Sequence, residues 1–245
     1  MFDLLITSGC SFSQVPNADV TWPVHLGDII GPKDVKFLAM GATGNGVISR
    51  KIIHSVYTAI NHNIKPENIL VGIMWSGPTR YEIFNRQQIP HTPINFNNSK
   101  DTYANPLYIA DSNNPDWYIL NSHWNDDSTV NYYKNFYDDV YGMILTVEHI
   151  LRTQWFLQQN NIKYFMTTYA PETLDQQYTS HTECDYLYKL IDKSHFLPVD
   201  NALNWMVDNI ENCFSRPNDG HPSTTAHKEF TERVIIPHLK DKDYI

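Results

Sequence analysis

Seven consecutive non-polar residues, Ile69-Leu70-Val71-Gly72-Ile73-Met74-Trp75, stop abruptly at Ser76-Gly77-Pro78. A strand with one wet face alternates polar and apolar positions, and this run does not, so it reads as a strand buried on both faces. Such a strand needs a covering layer on each side. Phe2 to Thr7 and Ile162 to Tyr169 repeat the pattern, Val35 to Ala39 gives a shorter candidate, and His195 to Val199 a fifth. Between these runs the apolar spacing turns helical. Trp22 to Ile30 has Thr21 as N-cap and Gly31-Pro32 as its stop, and Val47, Ile48, Ile52, Val56 and Ile60 mark a second helix. Further helices are predicted from about Tyr137 to Gln159, Glu183 to Lys193, Asn201 to Cys213 and Thr224 to Leu239.

Strands alternating with helices predict an α/β fold: a doubly wound, flavodoxin-like, three-layer α/β/α domain on a mostly parallel five-stranded sheet. The length of 245 residues suits one domain over 1–245. From about 79 to 135 the pattern gives way to Asn, Asp, Pro and aromatics, among them Tyr81, Phe84, Tyr103, Tyr108, Trp117 and Trp124. This insertion is read as an ordered lid or rim, the alternative being a surface excursion.

Charge and cysteine content narrow the function classes. Eighteen basic against 27 acidic residues leave a net charge of −9, with no Lys/Arg cluster to track a phosphate backbone. Nucleic acid and anionic membrane surfaces are not expected partners. Cys10, Cys184 and Cys213 have neither disulfide-framework nor zinc-ligand spacing, which suits a reducing compartment and no metal. The opening segment carries no basic leader pattern and no apolar stretch approaches a bilayer span, so a cytoplasmic location is expected.

In a doubly wound sheet, ligands bind beyond the carboxyl ends of the strands. Three loops begin there: Ser8 to Ser13, Gly41 to Gly46, and Ser76 to Arg80. The first contains Gly9-Cys10-Ser11-Phe12-Ser13. A serine hydroxyl attacks a carbonyl only when a base takes its proton and N–H donors hold the oxyanion, and a strand-to-helix turn can supply such donors. Alone, the segment equally reads as a turn that starts a helix. Asn218-Asp219-Gly220-His221-Pro222-Ser223 precedes the last helix; a histidine held in a turn beside a carboxylate suits acid–base work, and a helix-capping Asx turn is the structural alternative. Cys10 is read as a small buried filler and His227 as a packing residue. Arg80 suits a substrate carboxylate or phosphate, an ordinary ion pair being its commoner role.

Taken together, these segments resemble the SGNH (GDSL-like) hydrolase family. Gly9-Cys10-Ser11-Phe12 is similar to its first block, Gly41-Ala42-Thr43-Gly44-Asn45 to its second and Asp219-Gly220-His221-Pro222 to its last, in the family's order along nearly the whole chain. The resemblance implies Ser11 as nucleophile, His221 as base, Asp219 as its acidic partner and the Gly44 N–H as an oxyanion donor, with no cofactor. Two departures stand out. Trp75-Ser76-Gly77-Pro78-Thr79-Arg80 lacks the family's third-block Asn, leaving Ser76 or Asn45 as substitute donors. The last block normally sets Asp three residues before His; here Asp219 is two before and Asn218 three before. The expected activity is hydrolysis of a small-molecule or carbohydrate ester. The alternatives are a catalytically weak or inactive binding module on the same fold, and an acyltransferase. The sequence does not set the oligomeric state.

Overall fold

The computed structural model of the chain describes residues 2–15, 17, 19–84, 117–122, 125–216 and 220–245. In chain order the elements are β1 (Leu4–Ser8), α1 (Trp22–Ile30), β2 (Asp34–Phe37), α2 (Asn45–Asn61), β3 (Ile69–Trp75), β4 (Arg80–Phe84), β5 (Trp117–Asn121), α3 (Asp127–Asn135), α4 (Asp139–Gln159) and β6 (Lys163–Thr168). They continue with α5 (Gln176–Thr179), α6 (Thr182–Tyr188), α7 (Ala202–Asn209), α8 (Thr224–Phe230) and α9 (Ile236–Asp241).

The main sheet runs β2-β1-β3-β6, and every pairing in it is parallel. Side chains alternate between two cores, as the period-2 geometry of a strand requires. Leu4, Ile6, Ile69, Val71, Ile73, Tyr164 and Met166 point into one core, covered by α2, α4 and α6. Leu5, Leu70, Met74 and Phe165 point into the other, beneath α1 and the C-terminal helices. Both faces of β1, β3 and β6 are dry, which is why they read as largely apolar runs, whereas the edge strand β2 is partly exposed. Gly72 is the exception within β3, and a Cβ there would sit 2.7 Å from Phe165 and 3.0 Å from Trp22. The missing side chain makes room for two buried aromatics.

Local chemistry fixes the helix ends. Gly31 closes α1 in the left-handed conformation at φ 57°. Asp126, Asp138 and Ser223 cap α3, α4 and α8 by accepting backbone N–H groups. The last helix is not uniform. Residues Thr231–Ile235 widen into a π turn ahead of Pro237, whose missing N–H cannot serve the regular ladder.

Among the described residues the expected five-stranded sheet is corrected to four strands. The segment from His195 to Val199 contributes a single parallel bridge, Met166 to Phe196, with the Leu197 N–H donating to the Met166 carbonyl at 2.9 Å. A 3₁₀ turn over Lys193–His195 precedes the bridge, and Pro198 follows it with no N–H to extend the ladder. The insertion is not patternless at its ends: β4 and β5 pair antiparallel, Arg80 opposite Asn121 and Phe84 opposite Trp117. Tyr103, Tyr108 and Trp124 lie outside the described residues. Among the described residues, no helix is long and apolar enough to cross a membrane.

Candidate active site

β1 and β3 are neighbours in the register Ser8 to Ile73, so the turns that follow them emerge side by side at the carboxyl edge. The chain leaves β1 through Gly9 and Cys10 into a 3₁₀ turn, Ser11–Ser13. Gly9 is required by closeness, since a Cβ there would overlap the Ser13 side chain. Three side chains in this stretch, Cys10, Ser11 and Ser13, go different ways. Cys10 is fully buried among the α1-side core, and Ser13 Oγ accepts from Trp22 Nε1 at 2.8 Å. Ser11 Oγ lies 2.8 Å from His221 Nε2. Of the three, Ser11 alone presents a hydroxyl to a histidine. The free thiol of Cys10 packs as a filler.

His221 arrives from the other end of the chain. Gly220, at φ 69°, turns the backbone just before it, and the Phe12 ring packs 5.4 Å from the imidazole. Capping of α8 falls to Ser223, which accepts from the Ala226 N–H, so His221 is left to face Ser11. Asn218 and Asp219 lie outside the described residues.

The other candidate donors gather around the loop that follows β3. Asn45 Oδ1 accepts the Ser76 N–H at 2.7 Å, while Nδ2 donates to the Ser76 carbonyl at 2.9 Å and to Thr146 Oγ1 at 3.1 Å. Both amide hydrogens of Asn45 are thereby engaged, and an oxyanion would have to displace one of them. Ser76 Oγ accepts from Arg80 Nη1 at 2.9 Å. Gly44 and Gly46 abut β4: a Cβ on Gly44 would overlap the Arg80 carbonyl, and one on Gly46 the Glu82 carboxylate. Glu82 is buried and pairs with Arg50 at 2.5 Å; burial pushes its carboxyl up in pKa, against the pull of Arg50. Gly41, at the head of the second loop, lies beside the Ser11 turn. Its N–H donates to Gln14 Oε1 at 2.8 Å, and a Cβ on it would stand 4.0 Å from Ser11 Cβ.

A cavity of about 180 Å³ opens beside the serine, lined by Ser11, Gln14, Asn17, Asp19, Arg216, His221, Pro222 and His227. Gln14, Asn17, Asp19 and Arg216 were not singled out by the sequence. Asp19 accepts from Ser215 Oγ at 2.7 Å and from the Thr224 N–H and hydroxyl at 3.3 and 3.2 Å. The Ser215 bond foremost holds its carboxyl below the usual range. His227 is buried and, among the described residues, its Nδ1 has no hydrogen-bond partner; burial, then the neighbouring His25, pushes its pKa down to about 3. It is a neutral imidazole in the wall of the cavity. Asp19 and Thr224 meet across 205 residues, a pairing no local pattern encodes, whereas the polar stretch Gln14 to Asp19 could have been read as an extension of the serine loop.

No family model and no curated protein matches the chain. Among solved structures it is similar to a crystal structure of TesA, at 13% identity over 97% of this chain and 98% of that one, with a TM-score of 0.49.

Proposed function

We propose that the chain is a serine hydrolase of the SGNH type acting on a small ester through an acyl-enzyme on Ser11. One observation carries the reading: Ser11 Oγ and His221 Nε2 stand 2.8 Å apart at the carboxyl edge of a parallel sheet, beside an open cavity. That is hydrogen-bond reach for a general base and its nucleophile. The ordered block resemblance of the sequence supports it.

In the proposed reaction, His221 Nε2 takes the Ser11 proton as Oγ bonds to the ester carbonyl carbon. The N–H groups of Ser11 and Gly44 are the proposed oxyanion donors, Asn45 being committed elsewhere. Collapse of the tetrahedral intermediate breaks the bond to the leaving alkoxide, which receives the proton from His221. Water then attacks the acyl carbon with His221 again as base, releasing the acid and restoring Ser11. Asp219 is the carboxylate proposed to orient the imidazole. The cavity's size and polar lining favour a short acyl group or small polar alcohol over a lipid chain; a hydrocarbon-lined cavity of roughly 150 Å³ is enough for a benzene-sized guest.

The test is hydrolysis of 4-nitrophenyl acetate by wild type and Ser11→Ala, both shown folded by circular dichroism. Wild-type turnover should exceed that of the variant by at least about 10³-fold, in line with triad nucleophiles. Equal rates would remove Ser11 from the mechanism.

A further inference from the structure

Among the described residues, Arg80 has no carboxylate partner. It leaves the loop after β3 as the first residue of β4 and is partly buried. Its Nη1 donates to Ser76 Oγ at 2.9 Å, and its guanidinium carbon lies 5.1 Å from the centroid of the Tyr169 ring. Tyr169 meets Phe12 edge-on at 5.2 Å, and Phe12 is bonded in sequence to Ser11. One aromatic stack therefore joins the guanidinium to the nucleophile's turn. Among the described residues, no carboxylate comes within ion-pair distance of Arg80, whereas Arg50 pairs with Glu82 and Arg233 with Glu229.

A guanidinium carries five N–H donors in a planar fork that matches carboxylate and phosphate oxygens. Held half out of water on one hydroxyl and one ring face, it has most of that capacity unspent. Its position is fixed from both sides. The Arg80 carbonyl packs against Gly44, and the side chain is oriented by Tyr169 and Ser76, so little freedom is left to lose on binding.

We infer that Arg80 is a specificity-determining residue and that the natural ester carries an anionic carboxylate or phosphate group, which docks on the guanidinium while the ester carbonyl lies at Ser11. The inference rests on the hydrolase reading above.

The experiment uses two matched substrate pairs that differ only in charge. In one pair the acyl part varies: 4-nitrophenyl hydrogen adipate against its methyl ester. In the other the alcohol part varies: 5-acetoxy-2-nitrobenzoate against its methyl ester. The charged-to-neutral ratio of kcat/KM is measured in wild type, Arg80→Lys and Arg80→Gln. Wild type should favour the charged member of one pair by about 10- to 100-fold, the span of a charge-assisted hydrogen bond. The pair concerned tells which side of the ester carries the anion. That preference should reside mainly in KM, weaken at high salt, fall partly in Arg80→Lys and approach unity in Arg80→Gln. No preference in either pair, or one that survives Arg80→Gln, overturns the inference. Because the wild-type ratio and its salt dependence need no variant, a misfolded Arg80→Gln does not shelter it. Ser11→Ala on the same pairs separates the two levels: persistent turnover there defeats the hydrolase reading itself, whatever the ratio.

Discussion

Asn45 holds Ser76 by both of its backbone groups, accepting the Ser76 N–H at 2.7 Å and donating to the Ser76 carbonyl at 2.9 Å. This clasp ties the N-terminus of α2 to the end of β3, and both residues are almost fully buried. Truncation to Asn45→Ala strands two buried backbone groups, each costing about 1–3 kcal/mol when unsatisfied. The expected loss is about 2–4 kcal/mol in urea unfolding. A loss below about 0.5 kcal/mol, the usual range of surface substitutions, would mean that the clasp is not formed in solution.

Gly46 and Glu82 make a second long-range pair, the glycine leaving the space that the carboxylate fills. In Gly46→Ala the Glu82 side chain must yield, disturbing its pairing with Arg50. Overpacking of this kind costs about 1–3 kcal/mol. In a Glu82→Ala background the main obstacle is gone and only the His149 ring, 3.1 Å away, must give, so the same glycine substitution should cost less. A double-mutant cycle reads this directly. Additive effects would show that Gly46 has no steric quarrel with Glu82.

Acid should destabilise the fold in a defined window. His227 is held neutral until about pH 3 against an ordinary value of 6.5, by burial and then by His25, with Asp19 pulling the other way and His221 adding to the depression. Because the folded-state pKa is the lower one, the unfolded chain binds the extra proton as pH falls below 6.5. Stability is therefore full above that pH and is lost progressively toward pH 3. One histidine contributes up to about 1.4 kcal/mol per pH unit in this range. Glu82, pushed upward by burial, works in the opposite sense, its contribution being lost as pH rises. Unfolding free energies measured between pH 7 and 5 should fall less steeply for His227→Leu than for wild type. Parallel slopes would contradict a buried neutral His227.

Asp219 is the carboxylate closest to His221 in sequence, and Asn218 can offer only an uncharged amide oxygen. Asp219→Ala should lower ester turnover by about 10²- to 10⁴-fold, the range of positioned acid–base groups and triad carboxylates. Asn218→Ala should cost much less. The reverse ranking in kcat, with both variants folded, would mean that Asp219 is not the residue that supports the imidazole.

Much of the frame was legible because burial on both faces leaves a blunt signature. Ile69–Trp75 could be bounded to the residue, and Trp22–Ile30 with its Gly31 stop needed no tertiary information. Ser11 and His221 were legible as reactive side chain types at a strand end and before a helix. The roles of the glycines in the second loop were not. Gly44 and Gly46 are small because Arg80 and Glu82 arrive from a strand more than 30 residues away, and sequence shows the gap without showing what fills it. The fifth strand failed for a similar reason: the apolar content of His195 to Val199 is real, but Pro198 denies it a ladder. Asp19 gave no signal in the sequence and His227 read as a packing residue, since their meeting at the cavity depends on where α8 lands.

The most direct test of Ser11 as an activated nucleophile is covalent. Intact protein is treated with a fluorophosphonate, which phosphonylates a serine oxygen only where a base removes its proton, and the modified residue is located by peptide mass spectrometry. One equivalent of label on Ser11 is predicted, absent in Ser11→Ala and slowed by at least about 10³-fold in His221→Ala, as expected for removal of a triad base. Label elsewhere, or labelling of Ser11 at the same rate without His221, would contradict the account.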